Sequence, residues 1–196
     1  MKDQLQTKKK LSKPIEFFPE HLNIDLPKVI YSIYNNKKHI KYSHKIKGRW
    51  ENQYLALNFV PEIKEVLHYA CKTVKNILGH DVIVPYEEMG FATNEFWFNI
   101  AEPGQLTDWH DHKEGASFSG VYYLEVPKKS GDILFRIKHG NNLNELQLNS
   151  ITGKMILFDS NIEHSVSINN SNQDRISLSF NIYLLPIFYD SFSVRY

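Results

Sequence analysis

The chain has 196 residues, enough to bury a substantial core within one domain. Its formal net charge is +1, so no overall field draws it to nucleic acid or to an acidic substrate. A single cysteine, Cys71, excludes an intramolecular disulfide and a cysteine-built zinc site, and no apolar run approaches the length of a membrane span.

Residues 1–13 hold Lys8, Lys9, Lys10 and Lys13 and read as a flexible basic tail. No apolar stretch follows these lysines, so the segment is not a secretory signal, and a reducing cytoplasm is the expected setting. Residues 14–196 read as one domain, helical and irregular over 14–89 and β-rich over 90–185. Ile15 to Phe18 is an edge-strand candidate closed by Pro19. Leu26 to Tyr34 reads as a short helix with Pro27 in its first turn. Residues 35–53 are polar and without period and read as a long loop. That stretch carries a second basic run (Lys37, Lys38, Lys41, Lys45, Lys47, Arg49), taken as solvated surface rather than a phosphate-contacting patch.

The clearest helix opens at Pro61. Ile63, Val66, Leu67, Ala70, Cys71, Val74, Ile77 and Leu78 recur at helical spacing until Gly79 ends it. Cys71 lies on that stripe and reads as a packed thiol. From residue 90 the period changes. Strands are predicted over 94–101, 106–112, 118–126, 132–138, 144–150, 154–159, 164–168 and 175–185, separated by Gly, Pro, Asn or Ser turns. Successive strands with no helix between them imply an antiparallel sandwich or barrel, mainly β, with the preceding helices packed outside.

Three histidines fall where they can do chemistry. His110 and His112 are two apart in a predicted strand and so project from one face. His164 starts another strand, which antiparallel closure can bring alongside. Three imidazoles inside a barrel suit Zn, Fe, Ni or Cu. The last strand is decisive in a different way. Arg175, Ser177 and Ser179 alternate with Ile176, Leu178 and Phe180, so one face is polar and the other is hydrocarbon. A buried guanidinium requires an anion, supplied either by a protein carboxylate or by a bound one. Asn99 and Asn181 are polar residues in otherwise apolar strands, open to substrate contact or to support of the site. Phe96, Trp97, Phe98 and Trp109 supply apolar surface to the core or the cavity wall.

The stretch from Asn94 to Leu185 resembles the double-stranded β-helix Fe(II)/2-oxoglutarate-dependent dioxygenases, and within them a bacterial and phage oxygenase family. The resemblance rests on His110-x-His112, then Ser119-Gly120-Val121-Tyr122-Tyr123-Leu124, the distal His164, and Arg175-x-Ser177-x-Ser179-Phe180-Asn181. It implies a jelly-roll or cupin-like barrel that uses Fe(II), 2-oxoglutarate and O2 to oxidise an unidentified substrate, releasing succinate and CO2. It assigns His110, His112 and His164 to the metal. Arg175, Tyr123, Ser177 and Ser119 fall to 2-oxoglutarate, with the guanidinium gripping the distal carboxylate. One departure stands out: the superfamily usually has Asp or Glu where this chain has His112. Asp108 shares a strand face with His110 and is the alternative ligand, whereas Asp111 is out of phase. The competing readings are a three-histidine cupin-type metalloenzyme without 2-oxoglutarate and a non-catalytic jelly-roll protein. Primary substrate and oligomeric state are not legible.

Overall fold

The computed structural model describes residues 11, 13–46, 49–112, 115–140 and 142–187. Most of the basic tail, and Lys47 of the second basic run, lie outside the described residues. The first elements are strand β1 (Ile15–Phe17) and helix α1 (Leu26–Asn35). Asp25 caps α1 by accepting from the Lys28 N–H at 3.1 Å, and Pro27 occupies its first turn, where no backbone donor is needed.

Residues 35–53, expected to be a loop, contain the hairpin β2 (Lys41–Ile46) and β3 (Arg49–Tyr54). Strand β2 is the sheet's outer edge and is held by backbone pairing along β3, which needs no alternating apolar face. Helix α2 (Ile63–Leu78) follows, with Ile63, Val66, Leu67, Ala70, Val74 and Leu78 buried along one stripe and Gly79 as its left-handed cap. A short strand, β4 (Val82–Ile83), was not anticipated and pairs with the far end of the last strand.

The β-rich half follows the predicted order: β5 (Phe96–Ala101), β6 (Thr107–His110), β7 (Phe118–Glu125), β8 (Ile133–His139), β9 (Asn142–Leu148), β10 (Met155–Asp159), β11 (Glu163–Val166) and β12 (Arg175–Leu184). They form two antiparallel sheets. The larger runs β1-β10-β7-β12-β5-β3-β2, and the smaller runs β6-β11-β8-β9. From β5 to β12 chain neighbours alternate between the sheets except at the β8–β9 hairpin, which stays within the smaller one, as in a double-stranded β-helix. The edge strand β1 is clipped to β10 by the 2.7 Å ion pair between Lys154 and Glu16.

Strand parity divides the apolar residues into two cores. On the outer face of the larger sheet, Phe96, Phe98, Phe118, Tyr122, Leu124, Leu157, Ile176, Leu178, Phe180 and Ile182 pack with the buried residues of α1 and α2. The helices therefore cover the outside, as expected. Between the sheets, Val121, Tyr123, Ile133, Phe135, Ile156 and Phe158 form a second, smaller cluster. Gly120 lies opposite Phe180 on the neighbouring strand, and a Cβ there would collide with the Phe180 ring and come within 2.8 Å of Leu157 Cδ2. The glycine of the Ser-Gly-Val-Tyr-Tyr-Leu run is thus explained by aromatic packing over bare backbone. Among the described residues, no helix is long and apolar enough to cross a membrane.

Candidate metal centre

The three histidines singled out in the sequence converge. His164 is the cross-strand partner of His110 in the β11–β6 pair. Strand β6 stops at His110, earlier than expected, and His112 reaches the group from the following segment, whose backbone N–H is anchored on the Ser160 carbonyl at 2.9 Å. Two-residue strand parity therefore does not bring His112 in; this anchored turn of chain does. The nitrogens of His110, His112 and His164 lie within 4.8 Å of one another. A single ion at about 2.1 Å from each can be reached by small ring rotations.

Each ring is held through Nδ1. His110 meets the Asp108 carbonyl at 2.8 Å and His164 the Ile162 carbonyl at 3.0 Å. A carbonyl only accepts, so both rings carry the proton on Nδ1 and leave the Nε2 lone pair free. His112 Nδ1 meets the Asn181 side-chain oxygen at 2.9 Å. Burial, reinforced by the neighbouring His110, holds His112 down to about 4. Burial among its two companions depresses His164 well below the usual histidine range. Neutral imidazoles are the form that ligates metal.

The surroundings are aromatic. Trp97 stacks on His112 with ring centroids 5.6 Å apart, Phe158 meets His164 edge-on at 4.7 Å, and Phe135 lies 6.0 Å from His164. Of the four aromatics named from the sequence, Trp97 therefore flanks the imidazoles. Phe96 and Phe98 belong to the outer core, because they have the opposite strand parity. Trp109 also points away; the Arg136 guanidinium covers its ring at 3.8 Å. Asp108, the alternative ligand, is not part of the imidazole group, and its carboxylate accepts from the Trp109 N–H at 3.0 Å. Asp111 lines a separate surface cleft of about 420 Å³ with Arg136 and Glu163.

Arg175 lies on the inner face of β12, 3 % exposed. Its Nη1 donates to the carbonyls of Ser130 (2.5 Å) and Ser167 (3.5 Å), and it has no ion-pair partner among the described residues. Burial brings this guanidinium down to about 10. Gly131 makes the arrangement fit: its φ is +95°, and a Cβ there would lie 2.8 Å from Arg175 Nη1. Beside it stands Tyr123, 2 % exposed, whose hydroxyl is pushed up to about 12 by burial. Among the described residues, three buried hydroxyls in this neighbourhood, those of Tyr123, Ser130 and Ser150, have no hydrogen-bond partner. Ser150 lies close enough to perturb the Tyr123 hydroxyl electrostatically, but the pair does not meet hydrogen-bond geometry. An unpaired guanidinium ringed by orphaned hydroxyls is a cradle for an anion with several oxygens. A surface cleft of about 560 Å³, lined by Ser130, Gly131 and Ser150 among others, approaches this cradle from outside and contains none of the imidazoles.

Ser177 lies between the two ends of this wall, opposite Tyr123 in the β12–β7 register. Ser119, expected beside the co-substrate, instead gives its hydroxyl to Asn181 at 2.9 Å and so belongs to the imidazole end. Asn99 accepts from Arg49 at 2.8 Å. Arg49 also pairs with Glu51 at 2.5 Å and reaches Thr107 and Gln105, locking the unforeseen hairpin to β5 and β6. A residue not singled out in the sequence joins the site as well: Glu95 accepts from the Asn181 amide at 3.0 Å, and burial raises its carboxyl. The signal for it was parity, since Glu95, Trp97 and Asn99 alternate with the core residues Phe96 and Phe98.

Residues 95–181, a little under half of the chain, match the family described as "Putative 2OG-Fe(II) oxygenase". No curated protein sequence matches. Among solved structures, the chain is similar to the non-heme alpha-ketoglutarate-dependent carbocyclase SnoK from nogalamycin biosynthesis (13% identity, 87% of this chain and 79% of that one, TM-score 0.64). It is similar to a Pseudomonas putida prolyl-4-hydroxylase (14%, 87% and 86%, 0.54). A Trichoplax adhaerens prolyl hydroxylase in complex with a hypoxia-inducible-factor peptide is also similar (12%, 87% and 83%, 0.63). At such identities the structural likeness bears on fold, while the sequence match spans the residues 95–181 that include His110, His112, His164, Arg175 and Asn181. The family match over residues 95–181 and the fold shared with these structures point the same way, and this part of the chain is similar to the 2OG-Fe(II) oxygenases.

Proposed function

We propose that this chain is an Fe(II)- and 2-oxoglutarate-dependent dioxygenase that hydroxylates or otherwise oxidises a substrate, with release of succinate and CO2. The observation that carries this reading is the pairing of two incomplete sites on one interior wall. Three imidazoles stand at one end, and a buried guanidinium with no ion-pair partner among the described residues stands at the other. Arg175 and Asn181, which holds His112, lie six residues apart on the inner face of β12, about 20 Å along the strand before their side chains reach inward.

His110, His112 and His164 would hold iron(II) through Nε2. Arg175 and the Tyr123 hydroxyl would take the distal carboxylate of 2-oxoglutarate, with Ser177 on the wall between. Iron, 2-oxoglutarate and O2 together supply the oxidising power, which is the cofactor's own chemistry. The chain's residues bind and orient. Asp108 and Ile162 carbonyls fix two rings, and Trp97, Phe135 and Phe158 pack against the imidazoles. With His112 in place of a carboxylate, three neutral ligands leave the ion's full charge for the dianionic co-substrate to neutralise.

The test is conversion of labelled 2-oxoglutarate to labelled succinate by protein loaded with Fe(II) under ascorbate and air. Turnover is expected, and His164→Ala should abolish both turnover and metal uptake. A loaded preparation that neither binds nor consumes 2-oxoglutarate overturns the reading. The all-histidine donor set also suits a metalloenzyme in which Arg175 binds the carboxylate of the substrate itself. Oxygen uptake with a small acid but none with 2-oxoglutarate would favour that second reading.

A further inference from the structure

His110 and His164 have their tautomers set by backbone carbonyls, which cannot donate. His112 does not have that security. Its Nδ1 faces a side-chain amide, and an amide rotated by 180° would present NH2 instead of oxygen. Against a donor, the His112 Nδ1 would have to accept, the proton would move to Nε2, and the nitrogen turned toward the other two rings would lose its lone pair.

What prevents that rotation lies on the far side of Asn181. Its Nδ2 donates to Glu95 Oε2 at 3.0 Å. Its Oδ1 accepts from both Ser119 (2.9 Å) and His112 (2.9 Å). Ser119 alone does not discriminate, because a hydroxyl both donates and accepts. Glu95 does: it also accepts from the Tyr183 hydroxyl, and a rotated amide would set Asn181 oxygen against carboxylate oxygen. Backbone pairing keeps the two residues in register, with the Asn181 N–H donating to the Glu95 carbonyl at 2.8 Å.

We infer that Glu95 is a positioning residue that, through Asn181, fixes His112 in the tautomer offering Nε2 to the metal. The inference rests on the metal-centre reading above. It also places a carboxylate two hydrogen bonds away from the imidazole group in a chain that lacks one as a direct ligand.

The experiment uses the full chain. Long-range proton–nitrogen correlation spectra of the metal-free, 15N-labelled protein report the tautomer of each histidine, and Co(II) titration followed by visible absorption reports affinity. In the wild type, His112 is expected to carry its proton on Nδ1. Glu95→Leu should mix the His112 tautomers and lower Co(II) affinity on the order of ten-fold or more, the range typical of residues that orient metal ligands. Glu95→Gln keeps the shape but can present NH2 as well as oxygen to the Asn181 amide, so it too should mix the His112 tautomers and lower Co(II) affinity. A Glu95→Gln protein with the wild-type tautomer and affinity counts against the inference. A wild-type His112 protonated on Nε2 overturns the inference without any variant. A folded Glu95→Leu with wild-type tautomer and affinity overturns it as well. In either of these cases, retained Co(II) binding by the wild type leaves the metal reading intact. If the wild type takes up no Co(II) while His112 keeps its proton on Nδ1, the metal reading falls and the relay stands.

Discussion

Strands β5, β7 and β12 present opposite chemistries on their two faces. Outward, Phe98, Tyr122, Leu178 and Phe180 pack under α1 and α2 as an unbroken hydrocarbon layer. Inward, the same strands present Trp97, Asn99, Ser119, Tyr123, Arg175, Ser177 and Asn181. Each outward residue gains by leaving water. Several inward ones are held at a cost, since a buried guanidinium and hydroxyls without partners oppose folding until something binds them. One face therefore stabilises the barrel, and the other is arranged for a ligand that the barrel does not contain in its own sequence.

That division can be tested by exchanging one kind of side chain for another on each face. The largest stability effect is expected from Phe180→Ala, which opens a cavity over Gly120 and should cost about 3–5 kcal/mol. Thermal melting should show a drop of roughly 10 °C, while 2-oxoglutarate affinity of the folded fraction stays unchanged. Arg175→Met should do the reverse. Isothermal titration is expected to show 2-oxoglutarate binding weakened by about 2–5 kcal/mol, a loss of roughly thirty-fold to several thousand-fold. The ligand-free melting temperature should hold or rise, because the substitution removes a desolvated charge that lacks an ion-pair partner among the described residues. A melting drop comparable to that of Phe180→Ala would dissolve the contrast between the faces.

Acid offers a third comparison. His112 sits at about 4 in the folded chain, below its unfolded value of about 6.5. Between those two pH values the unfolded chain binds the extra proton, so metal-free stability is complete above about pH 6.5 and falls as pH drops toward 4. Denaturant melts across that window should show a loss of at most roughly 3 kcal/mol from this residue, less to the extent that water reaches the ring's exposed edge. Replacing His112 with Leu should make the profile shallower, leaving the part due to His164, whereas an outer-face substitution should only shift it. The smallest effect is expected for Tyr123→Phe. Removing one neutral hydroxyl should weaken 2-oxoglutarate binding by about 0.5–1.5 kcal/mol with no loss of melting temperature, since that hydroxyl has no protein partner to lose.

Much of the site was legible before the fold. The alternation of Arg175, Ser177 and Ser179 with Ile176, Leu178 and Phe180 identified the inner face of β12, because a strand's side-chain period is two wherever the strand lies. His110 and His164 were likewise readable and stand opposite each other across β6 and β11. Strand parity points to His112 as well, but the fold places it differently, since it lies beyond the end of β6 and is held by the Ser160 carbonyl. The β2–β3 hairpin was missed because its pattern lacks an apolar face; its pairing with β5 and the Arg49–Glu51 lock come from residues distant in the chain.

The local pattern of side chains by itself determined the two helices and the strands of the β-rich half, which face of each is apolar, and which residues can carry metal or anion chemistry. These follow from periodicity and side-chain character, which neighbouring residues fix. Only the tertiary structure decided that Trp109 faces outward under Arg136, that Glu95 meets Asn181, and that Tyr123, Ser130 and Ser150 surround Arg175 without hydrogen-bond partners. Those outcomes depend on how two sheets register against each other, and that register is set by packing between residues tens of positions apart.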